Sequence, residues 1–352
     1  MIYILLSVIL GSFLTLLLVA PSEYYLSLLI LPLVGIIITY IFKRFIVKPS
    51  KYILISLPVF FVISYIVTSC MVFIPKKPEL LNVDPSTLSN DKKAIILYTN
   101  GEMEKYSLNF ASFDLEDTSY ILKPIESFKI KKAYKSIGES KKNLEIIKIS
   151  RDFRESLLKN SPCQFYIAYS NYKPSLIESI NYALVDKSKD ISIINLTNKE
   201  IDYMDLNNIK NSLSNLKVNF KVSKPILNSL NSKFILEDIK ESLGRFNSFL
   251  ILGNNEIGSS IKTEMEKLSI NKENIISTEN INEGLEYINA LNIDNKNTLV
   301  INLLDFQNGL LEKYTIPNAF KEYKVNYTIF NPLKYNKDFL EILVNEYKSL
   351  NK

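Results

Sequence analysis

No histidine occurs among the 352 residues, so imidazole is not available as general base, proton shuttle or metal ligand. Ser-His-Asp and Cys-His nucleophile systems are excluded with it. Cysteine is nearly absent: Cys70 lies in a long apolar run and Cys163 just ahead of a short one. Two thiols cannot build a disulfide framework or a zinc site of four cysteines, and a zinc site of paired cysteines and histidines is equally out of reach. A metal would have to rest on carboxylates, carbonyls or a lone thiolate. A basic excess is also missing from most of the chain. The formal charge is +5, but residues 1–80 hold six Lys and Arg against two Glu, and the remainder holds 36 basic and 35 acidic side chains. Nucleic-acid binding draws on a basic surface through counterion release, so nucleic acid is not an expected partner. Nothing in the sequence calls for a cofactor.

Uninterrupted apolar sequence, by contrast, is plentiful. Residues 2–20, 25–42 and 52–75 contain no charged side chain, and about 20 helical residues cross a bilayer core. A module of three transmembrane helices is therefore expected over residues 1–75, with the lipid bilayer as partner. The first run has no basic residues before it and a second run close behind, unlike a cleavable signal peptide. Tyr24, Tyr25, Tyr40 and Tyr52 lie near the ends of the runs, where amphipathic rings favour headgroups. The second loop, 43–51, carries Lys43, Arg44, Lys48 and Lys51, while the first loop has no basic residue. The positive-inside rule puts 43–51 in the cytoplasm and the rest of the chain outside, with Lys76 and Lys77 as two charges against four. The expected localisation is a multi-pass cell membrane protein with an extracytoplasmic domain. Val67-Thr68-Ser69-Cys70 has the form of a lipoprotein lipobox, but apolar residues continue through Ile74, as around an ordinary membrane cysteine.

Residues 76–93 are polar, contain Pro78 and Pro85, and read as a linker. Beyond them short apolar runs alternate with longer amphipathic ones. Runs at 94–98, 165–169, 191–196 and 218–222 read as strands, with helices at 120–136, 141–159, 174–184, 204–216 and 232–243. The pattern restarts near 244–247, with strands at 249–252, 275–277, 299–303 and 327–330 between helices at 259–267, 281–291 and 336–350. Strands alternating with helices imply parallel sheets covered on both faces. The expected fold class is α/β, with two doubly wound parallel-sheet lobes at 94–244 and 245–352. Ligands in such sheets sit beyond the carboxyl ends of the strands.

AIILYTNGEMEKY (94–106), YKSIGESKKNLEIIKISRDFRESL (134–157) and FYIAYSNYKPSLIESINYALVDKSKDISIINLTN (165–198), in that order, resemble the amino-terminal half of the ferrochelatase family. Residues 94–106 look like that family's opening strand and glycine turn, and 134–157 like its helix, turn and next helix. Residues 165–198 are similar to its following strand-helix-strand unit, and 220–243 to the segment closing the lobe. In the second lobe, LVINLLDFQNGLLEKY (299–314) resembles the late strand and the helix bearing the family's catalytic glutamate. The resemblance implies a chelatase-like fold and a tetrapyrrole as possible ligand. It also marks departures: Asn198 falls at the metal-site histidine, and Leu311 at the glutamate, which Glu312 reaches only by a one-residue slip. A carboxamide does not titrate near neutral pH and cannot replace the base. The implied protein is a pseudoenzyme that binds a ligand without metal insertion, with no catalytic residue and no metal ligand. A divergent ferrochelatase and an extracytoplasmic two-lobed receptor or assembly module stand as alternatives.

Candidate cleft residues follow from strand ends and the resemblance: Asn100, Gly101, Glu102, Asn198, Asn254 and Glu312. Glu102 and Glu104 beside Gly101 could form a carboxylate pair, or be solvated loop charges. Residues 253–260, GNNEIGSS, have the spacing of a phosphate loop but carry Ser259 in place of its lysine. A plain strand-to-helix turn capped by Ser is the better reading. Tyr98, Tyr106, Tyr169 and Tyr172, near strand ends, are the aromatics expected around a cleft.

Overall fold

The computed structural model describes residues 2–41, 50–74, 78–108, 111, 115, 118–158, 163–230, 232–293, 295–333 and 337–351. The basic residues 43–48 and Lys76 and Lys77, on which the expected orientation turns, lie outside the described residues. The chain forms two compact units: Met1–Lys77 with Lys105–Glu139, and Pro78–Glu104 with Ser140–Lys352.

In the first unit three helices are long and apolar enough to cross a membrane: Ile2–Val19, Ser22–Ile41 and Lys51–Val72. The first and third run side by side in parallel. Ser7 Oγ donates to Leu57 O at 2.5 Å, Thr68 Oγ1 to Ser12 Oγ at 2.9 Å, and Thr15 Oγ1 to Tyr65 O at 3.2 Å. Gly11 allows this approach, since a Cβ there would lie 2.1 Å from Ser64 Oγ and 2.4 Å from Phe61 O. Small and hydroxylated residues are what let apolar helices associate where burial supplies little driving force. Cys70, which the lipobox reading singled out, lies within the third helix and is half-buried.

Helix Lys123–Ile137 belongs to this first unit. Its C-cap, Gly138, has φ +76°, a conformation that residues with a Cβ rarely adopt. Lys131 Nζ donates to Leu17 O and Ala20 O, both at 3.0 Å, at the carboxyl end of the first apolar helix. Tyr106 Oη donates to Val19 O at 2.5 Å and lies 2.6 Å from Ser127 Oγ. These contacts satisfy carbonyls that a helix end leaves without intrahelical partners.

The second unit holds two four-stranded sheets. The strands are β1 Ser89–Thr99, β2 Gln164–Tyr169, β3 Ser188–Asn195, β4 Asn219–Val222, β5 Ser248–Leu252, β6 Ile275–Thr278, β7 Asn297–Asn302 and β8 Asn326–Phe330. The orders are β2-β1-β3-β4 and β6-β5-β7-β8, and every pairing is parallel. The two lobes thus repeat one topology, the doubly wound arrangement expected from the alternation. Apolar runs bounded by turns form these strands because parallel strands are buried on both faces. Along β1, Ile95 and Leu97 pack into one apolar cluster while Ala94 and Ile96 pack into another, the two-residue period of a strand. The first cluster is shared by both lobes, joining Ile95 and Leu97 to Phe153, Phe249, Ile301 and Phe339. Separate clusters cover the outer faces.

Local signals set the helix starts. Ser175 and Glu178 form a capping box ahead of Leu176–Val185, and Asp202, Asn254 and Asn280 accept first-turn N–H groups. Each such cap contributes about 0.5–2 kcal/mol. Most boundaries shift by one to three residues from the sequence reading. The helix expected at 232–243 ends at Glu237, with a 3-10 stretch at Lys240–Arg245. Three starts differ in ways that bear on the site. β1 begins at Ser89, inside the expected linker, where polar residues pair through backbone alone and a register irregularity separates Ser89 from Lys93. The helix expected at 174–184 starts at Leu176. The helix after β5 starts at Asn255 rather than 259.

Candidate functional site

The carboxyl ends of β1 and β3, neighbours in the first sheet, place Gly101 and Asn198 beyond the same sheet edge. Gly101 is buried against two rings, and a Cβ there would lie 2.4 Å from Tyr172 Cβ and 2.7 Å from Tyr169 Cγ. Those rings meet edge to face, with centroids 5.4 Å apart. Ser170 Oγ donates to Asn100 Oδ1 at 2.8 Å, so the turns after β1 and β2 are joined by a side-chain bond. Burial raises the Tyr98 and Tyr169 hydroxyls above the usual phenol range. Tyr106, expected here, lies instead in the unit of apolar helices, where burial pushes its hydroxyl up to about 12. Asn198 is half-buried in the turn after β3. Thr99 Oγ1, at the end of β1, is buried without a hydrogen-bond partner among the described residues.

Glu102 turns away from these rings toward the second lobe. One carboxylate oxygen accepts from Ser140 Oγ at 2.5 Å and the other from Leu310 N at 2.7 Å. Its backbone is held as well: Glu102 N donates to Asn143 Oδ1, and Asn143 Nδ2 to Glu102 O. Burial raises the Glu102 carboxyl above the usual range, opposed by the Lys142 ammonium and the Ser140 and Leu310 hydrogen bonds. Lys142 pairs with Asp305, its Nζ 2.5 Å from Oδ1 and 2.6 Å from Oδ2, and its side chain is only 3% exposed. Asp305 sits in the loop after β7, where Asn331 Nδ2 donates to its carbonyl at 3.0 Å. Lys141 N donates to Asn308 O, and Asn308 Nδ2 donates to Glu145 Oε1 at 3.3 Å. The lobes are therefore tied by a buried polar latch at the carboxyl ends of β1 and β7.

Glu312 joins this region. Its Oε2 accepts from Asn308 N at 2.9 Å, and it lies on a single π-helical turn, Leu311–Thr315. Leu311, which the sequence resemblance sets at a glutamate position, packs on the apolar cluster of the second lobe. The carboxylate at this turn is thus supplied by Glu312. Glu104 is exposed and does not pair with Glu102, whose oxygens are engaged by the latch. Asn254 accepts from Ile257 N as a helix cap. The phosphate-loop spacing around it is helix from Asn255 onward, and Gly258 presses so closely on Ser277 that a Cβ would meet its Oγ at 1.9 Å. That glycine serves packing.

Sequence reasoning missed Ser140, Lys142, Asn143, Asp305 and Asn308. Their one visible signal was position, as polar residues at helix starts and strand ends, and the pairing of Lys142 with Asp305 spans 163 residues. Chemically, each acid of the latch accepts at least one hydrogen bond or pairs with Lys142. No group of three or more His, Cys, Asp or Glu among the described residues could hold a metal ion.

No family model and no curated protein matches the chain. Solved structures do resemble it in layout. One is the sirohydrochlorin chelatase SirB from Bacillus subtilis subspecies spizizenii in complex with cobalt, at TM-score 0.44 and 13% identity, covering 74% of this chain and 95% of that one. Another is SirB from Bacillus subtilis with Fe3+, at TM-score 0.45 and 13% identity, covering 73% and 95%. The two-lobed α/β architecture stands on the strand order and pairing of the chain itself.

Proposed function

We propose that this chain is a membrane-tethered, chelatase-like protein that binds a small ligand, a tetrapyrrole in the leading case, without inserting a metal. The observation that carries the reading is the engagement of Glu102 inside the latch: Ser140 and Leu310 each donate to one of its oxygens. Metal insertion requires a base that accepts protons from the ring and a group that delivers the ion. Where the resembling family places its histidine this chain has Asn198, and the acids nearest the turns, Glu102, Asp305 and Glu312, accept hydrogen bonds or pair within the protein. General acid–base participation contributes about 10²–10⁴-fold in rate, so its loss leaves little turnover. The half-buried Tyr98 and Tyr172 rings and the Asn100 amide, above the buried Tyr169 and Gly101, are the aromatic and amide groups that a flat ligand would use. The three apolar helices would provide the tether, and the four basic residues of 43–51 support an extracytoplasmic two-lobed unit through the positive-inside rule.

The test is an anaerobic titration of the full chain in detergent with protoporphyrin and coproporphyrin, with and without Fe2+ or Zn2+. The reading expects a shifted porphyrin absorbance and no metalloporphyrin above a no-protein control. Turnover that disappears in Glu312→Gln would overturn it in favour of a divergent ferrochelatase. Absence of porphyrin binding would favour the receptor or assembly module.

A further inference from the structure

We infer that residues 120–135 form an interfacial anchor that lies in the headgroup boundary of the bilayer and prefers anionic lipid. The inference rests on the reading of the three apolar helices as membrane spans and adds a second, non-spanning contact.

The segment's own surface points to it. Ile121, Leu122, Ile125 and Phe128 are 54%, 48%, 41% and 41% exposed, and their spacing places them along one helical stripe. Lys132 and Lys135 continue that stripe and are exposed, as is Lys129 beside them, which pairs with Glu126 at 2.8 Å. The face is therefore apolar in its first half and basic in its second. Its other sides are occupied: Lys131, beside the Phe128 ring, holds the end of the first span, Ser127 meets Tyr106, and Lys123 stacks on the Tyr120 ring at 4.4 Å.

Depth follows from two bonds. Ser69 Oγ donates to Tyr120 O at 2.5 Å and Tyr65 Oη to Ile121 O at 2.9 Å. Both donors lie in the last two turns of Lys51–Val72, so the apolar stripe begins beside the end of a span. On the same face of that span as Tyr65 and Ser69, Val62 is exposed and apolar. The segment's apolar residues thus begin beside the end of a span and give way to lysines. That order of chemistry matches the passage from acyl chain to phosphate.

The chain contains no tryptophan, so single Trp residues report without background. Phe128→Trp, Val59→Trp in the third span and Tyr287→Trp on an exposed helix of the two-lobed unit are each placed in the full chain. Each is reconstituted into phosphatidylcholine–phosphatidylglycerol vesicles carrying bromine at shallow or deep acyl positions. Phe128→Trp should be quenched by shallow bromine more than by deep, Val59→Trp by deep bromine, and Tyr287→Trp by neither. Replacing Lys129, Lys132 and Lys135 with Gln should weaken the Phe128→Trp quenching in anionic vesicles. If Val59→Trp is quenched while Phe128→Trp behaves like Tyr287→Trp, the spans stand and the anchor is overturned. If Phe128→Trp is shielded from both bromine and aqueous acrylamide, a second copy or another protein covers the face, which also overturns it. If Val59→Trp escapes quenching, the membrane reading itself fails.

Discussion

Two buried lysines show how differently the two units accommodate charge. Lys142, in the two-lobed unit, faces a carboxylate and contacts both oxygens of Asp305. Lys131, among the apolar helices, is given two backbone carbonyls at a helix end, with the Tyr25 and Phe128 rings at 5.0 and 5.2 Å from its Nζ. An ammonium ion loses hydration on burial in either setting. In the first a formal counter-charge offsets the loss. In the second the dipole of a helix carboxyl end and the negative faces of two rings do so. The first arrangement joins lobes distant in sequence, and the second fixes a segment beside a helix terminus.

The largest expected effect tests the first arrangement. Asp305→Ala leaves Lys142 buried without its partner and should cost about 3–5 kcal/mol in denaturant unfolding of the full chain. Combining Lys142→Met with Asp305→Leu should recover most of that loss, because apolar replacement of a buried pair is often close to neutral. A double variant as unstable as Asp305→Ala would show that the pair fixes the lobes in a way packing cannot replace.

Lys131→Met should cost less, about 1–3 kcal/mol, through loss of charge-assisted bonds to Leu17 O and Ala20 O. The comparison sharpens if the effect is local. Amide exchange should quicken along Lys123–Ile137 while the strands of both sheets stay protected. Exchange rising equally in β1 and β5 would contradict an anchoring role confined to the apolar unit.

The smallest effect concerns Glu102, whose folded carboxyl titrates above its ordinary value of 4.5 mainly through burial. The folded state then binds the proton more tightly than the unfolded chain. Its contribution is fully present below 4.5 and is lost as pH rises through the raised value. Glu102→Gln, a neutral stand-in, should therefore gain on the parent chain as the pH of thermal unfolding is raised from 4.5 to 7.5. A difference that stays constant with pH would mean the latch tolerates the ionised carboxylate without penalty.

Legibility in the sequence followed physical exposure. Ile/Leu-rich runs such as 249–252 and 299–303 announced strands buried on both faces, and three uncharged runs announced the apolar helices. The amino half of β1, Ser89–Lys93, was invisible because its polar residues join the sheet by backbone pairing. The allegiance of Lys123–Ile137 was invisible for another reason. Apolar residues at helical spacing look the same whether they meet a protein core or a membrane edge, and 120–136 reads as part of the first lobe. At the candidate site, Gly101 and Glu102 stood out through their place after a strand, whereas Ser140 and Asn308 acquire meaning only once the two lobes share a core. Asn254 had the right place and a different task, because an amide before a helix is drawn into capping it.

The path of the chain has a further consequence. It leaves the two-lobed unit after Glu104, contributes Lys105–Glu139 to the apolar unit, and returns at Ser140. Three covalent crossings therefore connect the units rather than one. A protease that cuts only between Lys77 and Pro78 severs a single crossing and releases nothing, since the excursion still moors the sheets. Freedom for the two-lobed unit requires cuts on both sides of that excursion as well. A fragment starting at Pro78 would carry the excursion stripped of the helices it rests on.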